Sequence, residues 1–484
     1  VPTQPSRSII SNRHIEAIMP FISQSIKLGN LLIAAAARYV RPTLTADKTL
    51  CDAIANHTCD RDHPIRRCGA NFQGGLSVTT SEQTSEVQSS APEADSSSAP
   101  VFPFTRTCPF APADDYADGG SIRKVSFKNI VPAWLVTDYN DVKAVLGDRR
   151  SSVRNIPDPS RGDEGGEPLP GFFVAMDPPD QTRLRKMLSR EFTPRRMEAM
   201  RPAVERITNK LIDQMLEQDG PVDLVQALAL PLPSLVICEL LGIPYDRHDW
   251  FQEETVKFLR LDTTPEEAAE TVASVMGYLG ELTVSKMDDP GDDLISLLLN
   301  HVRSGDLTIP EVAGMAAFLL MAGHETTGNM ISLSTYALLE HPDQLELLRQ
   351  DPSRVPAAVE ELLRFLDIIG NLPRYLTEDI ELAGQTIPAG DIVMVAMDKA
   401  NRDPKQFEDP DTLNILRTDA KGHVAFGHGI HVCLGAPLAR VELQSVISTL
   451  FSRIPTLKVA VPSDEIQVKT EAKIFGLKSL PVTW

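Results

Sequence analysis

The residue with the most chemistry available to it is Cys433, in the run Phe426-Gly-His-Gly-Ile-His-Val-Cys433-Leu-Gly435. Glycines let the backbone of such a loop lie close against a flat group, and a helical pattern opens directly afterwards at Leu434. A helix N-terminus favours the thiolate, the form of cysteine that ligates metals. A lone cysteine is equally suited to a small buried apolar position. The second group is Ala322-Gly323-His324-Glu325-Thr326-Thr327. A carboxylate beside a hydroxyl can hold water and relay protons, which is general acid–base chemistry. Its plain alternative is a satisfied core network, or a threonine bonding back to the preceding turn. Third, Glu361 and Arg364 stand three apart and share one helix face, a spacing that surface helices also carry.

The elements that must position these groups are mostly helical. Apolar periodicity predicts helices over Arg195 to Glu217, Pro231 to Leu241, Pro265 to Met287, Asp292 to Val302, Pro310 to Glu340, Pro356 to Phe365 and Leu434 to Phe451. Short strands are expected at Pro132 to Thr137, Ile380 to Leu382, Ile392 to Ala396 and Leu480 to Val482. The segment from Pro310 is the longest, about 46 Å at ~1.5 Å per residue, with Thr308 as its cap. It is apolar on nearly every face, as a helix through a large core must be. A polar cluster in its middle costs free energy unless something polar meets it there.

The 484 residues are 42% hydrophobic and 23% charged, which excludes a wholly disordered or fibrous chain. A net charge of −19 makes a nucleic-acid surface an unlooked-for outcome. Six cysteines, at 51, 59, 68, 108, 238 and 433, are too sparse for a disulfide framework and point to a reducing compartment. The apolar run Leu31 to Ala37 is far too short to span a bilayer, so no membrane anchor is expected. Residues 1 to 76 form an N-terminal extension; the first 46 hold a single acidic residue, Glu16, which weakly resembles an organellar transit segment. Residues 77 to 100, with eleven Ser/Thr among 24, cannot bury enough surface to order themselves and are expected to be a linker. The catalytic domain is then 101 to 484.

Phe426, Gly429, Cys433 and Gly435 match the Phe-x-x-Gly-x-x-x-Cys-x-Gly haem signature of cytochrome P-450 enzymes. The chain resembles that family throughout 101 to 484, and most of all its soluble, ferredoxin-dependent bacterial branch, in stretches such as VPAWLVTDYNDVKAVL, LPLPSLVICELLGIPY and MAGHETTGNM. The resemblance implies a mainly α fold with small β-sheets, a helical prism enclosing haem b (iron protoporphyrin IX). It implies Cys433 as the proximal iron ligand, with amides after it bonding the sulfur. Ala322 and Gly323 would lie against the haem with Phe426, Gly427 and Gly435. Glu325 and Thr326 resemble the acid and alcohol of the family's oxygen-activation motif, Thr326 facing dioxygen and Glu325 leading to solvent. Glu361, Arg364 and Arg417 resemble the family's structural network.

Haem propionates need polar partners. By resemblance these are Arg185, Arg374 and His431, with Gln181 where many members carry His. The implied reaction is insertion of one oxygen atom from dioxygen into a hydrophobic organic substrate, by hydroxylation or epoxidation of a natural product or xenobiotic. Electrons would come from a separate ferredoxin and its reductase, steered by Arg183, Arg185, Lys186, Arg190, Arg195 and Arg196. A cytoplasmic monomer is expected. Two alternatives stand beside it: a nitric-oxide reductase of the same fold, which Glu325 argues against, and a haem-binding protein without turnover. Arg154 to Phe173 is expected to form part of a lid, and Ala322, Ile369 and Leu372 to line the substrate pocket.

Overall fold

The computed structural model describes residues 99–484 apart from 118, 128–130, 157–167, 245–246, 261–262 and 471. The expected N-terminal extension, residues 77–98 of the linker and most of the expected lid lie outside the described residues.

The central helix, Ile309–Glu340, has 32 residues and is roughly 48 Å long at ~1.5 Å per residue. Its start is fixed by a reciprocal cap: the Thr308 hydroxyl accepts from the Glu311 amide, and the Glu311 carboxylate accepts from the Thr308 amide at 2.8 Å. Pro310 sits in the first turn, where an amide has no intrahelical acceptor. Nearly every residue from Val312 to Leu338 is buried, as a helix apolar on all faces requires. Around it pack the helices Pro265–Ser285, Pro231–Leu241 and Ala436–Arg453 and the π-helical turn Val225–Ala229. At Gly328 that turn comes so close that an added Cβ would lie 2.9 Å from the Ala229 carbonyl oxygen.

The sheets are small and peripheral, giving the expected mainly α architecture. The largest has six strands in the order Val101–Phe102, Ile122–Phe127, Val131–Val136, Ile392–Ala396, Asn371–Leu376, Ser151–Ser152. A three-stranded sheet joins Lys458–Val459, Pro481–Thr483 and Val222–Asp223, and a hairpin pairs Ile380–Leu382 with Gln385–Ile387.

One predicted helix is broken. Arg195 to Glu217 is two helices, Pro194–Ala199 and Arg201–Leu216, because Pro202 has no amide to donate back to the first. Strand Asn371–Leu376 was not expected from sequence, since Pro373 and Arg374 interrupt its pattern. Pro373 is accommodated because Ser151–Ser152 pairs only with Tyr375 and Leu376, leaving the rest of that flank open. The helices Tyr139–Gly147, His248–Leu259 and Pro342–Gln350 also escaped the periodicity reading. No helix among the described residues is long and apolar enough to cross a membrane.

Candidate functional site

A cavity of about 480 Å³ separates the middle of the central helix from the cysteine loop. Ala322, Gly323, Thr326 and Thr327 line it from the helix, and Phe426, Gly427, His431, Cys433 and Gly435 from the loop. Leu363, Ile368, Ile369 and Leu372 make apolar side wall, and Ala322, Ile369 and Leu372 all line this cavity. Phe173 closes on it from the described end of the expected lid.

The loop is wound by its own backbone: the Gly427 amide donates to Val424 at 2.7 Å, Val432 to Gly429 at 3.1 Å, and Cys433 to Phe426 at 2.8 Å. Gly429 has φ of +73° and packs against the helix Tyr139–Gly147, where a Cβ would lie 2.4 Å from the Leu146 carbonyl oxygen. Only glycine satisfies both conditions. Cys433 lies deep in the protein yet presents accessible surface, because it faces the cavity. Burial pushes its thiol pKa up, opposed by the amides of Gly435 and Ala436 and by the charges of Arg185 and Arg440.

Polar groups gather at one rim. Arg374 is buried on its strand, lines the cavity and donates to the Pro373 carbonyl at 2.8 Å; burial lowers its pKa to about 10. His431 lines the cavity with Nε2 free of any protein partner, and burial, reinforced by Arg374, brings its pKa down to about 4. Arg185 also lines the cavity and donates to the Val432 carbonyl at 2.5 Å. Gln181 reaches the loop instead: its Nε2 donates to the Ile430 carbonyl at 2.8 Å. Of the basic cluster, Arg183 is paired with Glu311 and Arg196 with Glu191, while Lys186, Arg190 and Arg195 are exposed.

On the helix, neighbouring polar residues part company. Thr326 lines the cavity and donates to the Ala322 carbonyl at 2.7 Å, the back-bond that competes with helix geometry. Glu325 is buried beside it, with Oε1 accepting from Lys469 Nζ at 2.8 Å. Lys469 also donates to Asn329 Oδ1 at 3.0 Å. The sequence reading missed both partners. Asn329 stands one helical turn from Glu325 and was legible from spacing; Lys469, far along the chain, gave no signal.

The structure brings Glu361, Arg364 and Arg417 together. Glu361 and Arg364 are fully buried and joined at 2.7 and 2.8 Å, and Arg417 Nε reaches Glu361 Oε1 at 3.2 Å. Arg364 continues to the carbonyls of Asn401 and Pro410, each at 2.8 Å. Its neighbour Glu360, not singled out before, receives Arg440 from the cysteine helix at 2.6 and 2.9 Å, with His423 at 3.4 Å. Burial opposes its ionisation, but His423 and Arg440 outweigh that and hold its carboxyl down at about 2. Glu442, also unforeseen, lines the cavity with Oε2 unpartnered, and burial pushes its pKa up to about 8.

The sequence model of Cytochrome P450 matches residues 121–264 and 266–484. The chain belongs to the cytochrome P450 family. It is 45% identical over 389 residues to Cytochrome P450-SU2 of Streptomyces griseolus, covering 78% of this chain and 94% of that one. Pentalenic acid synthase of Streptomyces avermitilis is 44% identical over 396 residues, 80% and 98% of the two chains. The crystal structure of CYP105P1 in complex with filipin I superposes with a TM-score of 0.76 at 40% identity, covering 80% and 99%. The protein is therefore a P450 monooxygenase of the bacterial branch, and the family brings a haem cofactor.

The residues present fit that group. The cavity offers a thiol on one wall, apolar side chains around it, and unpartnered nitrogen at His431 beside Arg374 on the rim. A flat apolar ring carrying two carboxylates needs this donor set: one soft ligand for the metal, apolar faces, cations at one edge.

Proposed function

We propose that the protein inserts one oxygen atom from dioxygen into a hydrophobic organic substrate, hydroxylating or epoxidising a natural product or xenobiotic. The cofactor is haem b, the electron donors are a separate ferredoxin and its reductase, and the working form is a cytoplasmic monomer. The catalytic domain is residues 101–484. The observation that carries the reading is the opposition across one apolar cavity of a deep cysteine thiol and the Thr326 hydroxyl.

In this reading Cys433 would supply the thiolate that holds the haem iron, with the amides of Gly435 and Ala436 tempering the charge on its sulfur. Arg185, Arg374 and His431 would hold the propionates, and Gln181 braces the loop through Ile430. Phe426, Gly427 and Gly435 line the cavity from the cysteine loop and Ala322 and Gly323 from the central helix, and these residues would pack against the bound group. Bound haem supplies the redox chemistry that activates dioxygen, which no side chain provides. Thr326 orients the last donor of a proton at the cavity wall, and Glu325, buried beside it, brings protons to it. The apolar wall of Ile368, Ile369 and Leu372 holds substrate and excludes water. The Glu361–Arg364–Arg417 network supports the cysteine loop.

By their names the relatives serve varied molecules, one as a pentalenic acid synthase and another as a vitamin D3 dihydroxylase, which supports a natural-product substrate without choosing one. The test is turnover with a ferredoxin and its reductase under ¹⁸O-labelled dioxygen, across a panel of apolar terpenoids and macrolides. One labelled oxygen in the product, dependent on ferredoxin, is expected. Consumption of nitric oxide with direct oxidation of NADH, and no labelled product, would favour the reductase alternative.

A further inference from the structure

We infer that Lys469 is the positioning residue for Glu325, holding that carboxylate off the cavity and joining it to the protein edge through a buried polar hub. The inference rests on the proposed role of Glu325 in proton delivery. Glu325 is 4% exposed and does not line the cavity, although Thr326 beside it does. What holds it is a single cation, Lys469, which binds Glu325 at 2.8 Å and Asn329 at 3.0 Å.

The lysine is itself held in place. Its amide donates to the Gly476 carbonyl at 2.8 Å, and Val468 bridges Leu477, so the returning segment fixes its backbone. That segment lies against the hub: a Cβ on Gly476 would sit 2.3 Å from Asn329 Oδ1. The Phe475 amide donates to the Ile368 carbonyl at 2.9 Å, which ties the same segment to the cavity wall.

The hub has spare capacity. Glu325 Oε2 and Asn329 Nδ2 are buried without a protein hydrogen bond, while the His324 imidazole beside them meets the Leu230 backbone. Burial holds the His324 pKa down at about 4, so it is neutral and can accept as well as donate. Buried polar atoms with open valences are commonly satisfied by ordered water. The Lys469 side chain is 16% exposed and so reaches from this hub to the surface. Protons entering at Lys469 therefore meet Glu325 through the hub, at the flank of the helix face that lines the cavity.

The experiment uses the full-chain holoprotein with Lys469→Met, Lys469→Arg, Glu325→Gln and the Lys469→Met/Glu325→Gln double variant. Two quantities are read: the melting temperature, and the solvent deuterium isotope effect on ferredoxin-driven turnover of 7-ethoxycoumarin. Lys469→Met should lose about 6 °C or more, since it strands a buried carboxylate, and the double variant should recover most of that. Lys469→Met should raise the isotope effect at least twofold, and Lys469→Arg should return it towards the parent. Additive melting losses, together with a parental isotope effect in Lys469→Met, would overturn the positioning role. An unchanged isotope effect in Glu325→Gln would instead remove the underlying role of Glu325, whatever the melting temperatures do.

Discussion

Glu361 and Glu325 are both buried carboxylates on helices that border the cavity, and their surroundings differ. Glu361 has both oxygens bonded to Arg364, one of them also to Arg417 and to the Asn414 amide. Glu325 has one oxygen on Lys469 and the other without a partner among the described residues. A fully satisfied buried network specifies one arrangement and resists change. A group held at one end only is fixed in place while keeping capacity for water and protons. The first is what a scaffold needs, and the second is what proton delivery needs.

The contrast breaks most readily at Glu361. Replacing it with Ala leaves Arg364 buried and unpaired, with an expected loss of about 3–5 kcal/mol and poor recovery of folded protein, read by urea unfolding. An equal loss in Glu325→Ala would erase the distinction between the two sites.

Glu360 extends the scaffold side to pH. Its folded pKa, about 2, lies below the ordinary value of 4.5, so its stabilisation is fully present above pH 4.5 and is lost as pH falls towards 2. The shift corresponds to roughly 3 kcal/mol by the linkage relation. Arg440→Gln should shrink that acid-dependent loss in unfolding curves taken between pH 5 and about 2.5. A parental pH profile in the variant would mean that Arg440 does not hold Glu360 in solution.

On the catalytic side the expected effect is smaller in stability and visible in chemistry. Thr326→Ala should melt within about 2 °C of the parent, because one partly buried hydroxyl bonded to its own helix is worth only about 1 kcal/mol. It should nevertheless release several-fold more peroxide per electron consumed. Unchanged coupling would remove Thr326 from the proton route.

Much of this was legible in the sequence because it was local. The cysteine loop declares itself by glycines at fixed offsets, and Gly429 proves indispensable through both its φ and its contact with Leu146. The central helix was readable from its apolar run and its Thr308–Glu311 cap. Glu361 and Arg364 lie on one turn of helix, and their resemblance to a known network supplied Arg417. What escaped was set by contacts distant in sequence. Lys469 reaches Glu325 across 144 positions, and Arg440 reaches Glu360 across 80. Strand Asn371–Leu376, which carries Arg374, was hidden because Pro373 reads as a strand breaker until the open flank beside it is seen. The broken helix at Met200 was an error of the opposite kind, a continuous apolar pattern read through a proline whose missing amide ends it.

The central claim is that Cys433 supplies the thiolate beneath a haem in this cavity. The most direct measurement is the reduced, carbon-monoxide difference spectrum of the parent protein beside that of Cys433→Ala. A thiolate-type Soret band in the parent, absent from a Cys433→Ala variant that still folds, is the expected result. A folded parent that takes up no haem, or a Cys433→Ala variant that keeps the thiolate band, would contradict the claim.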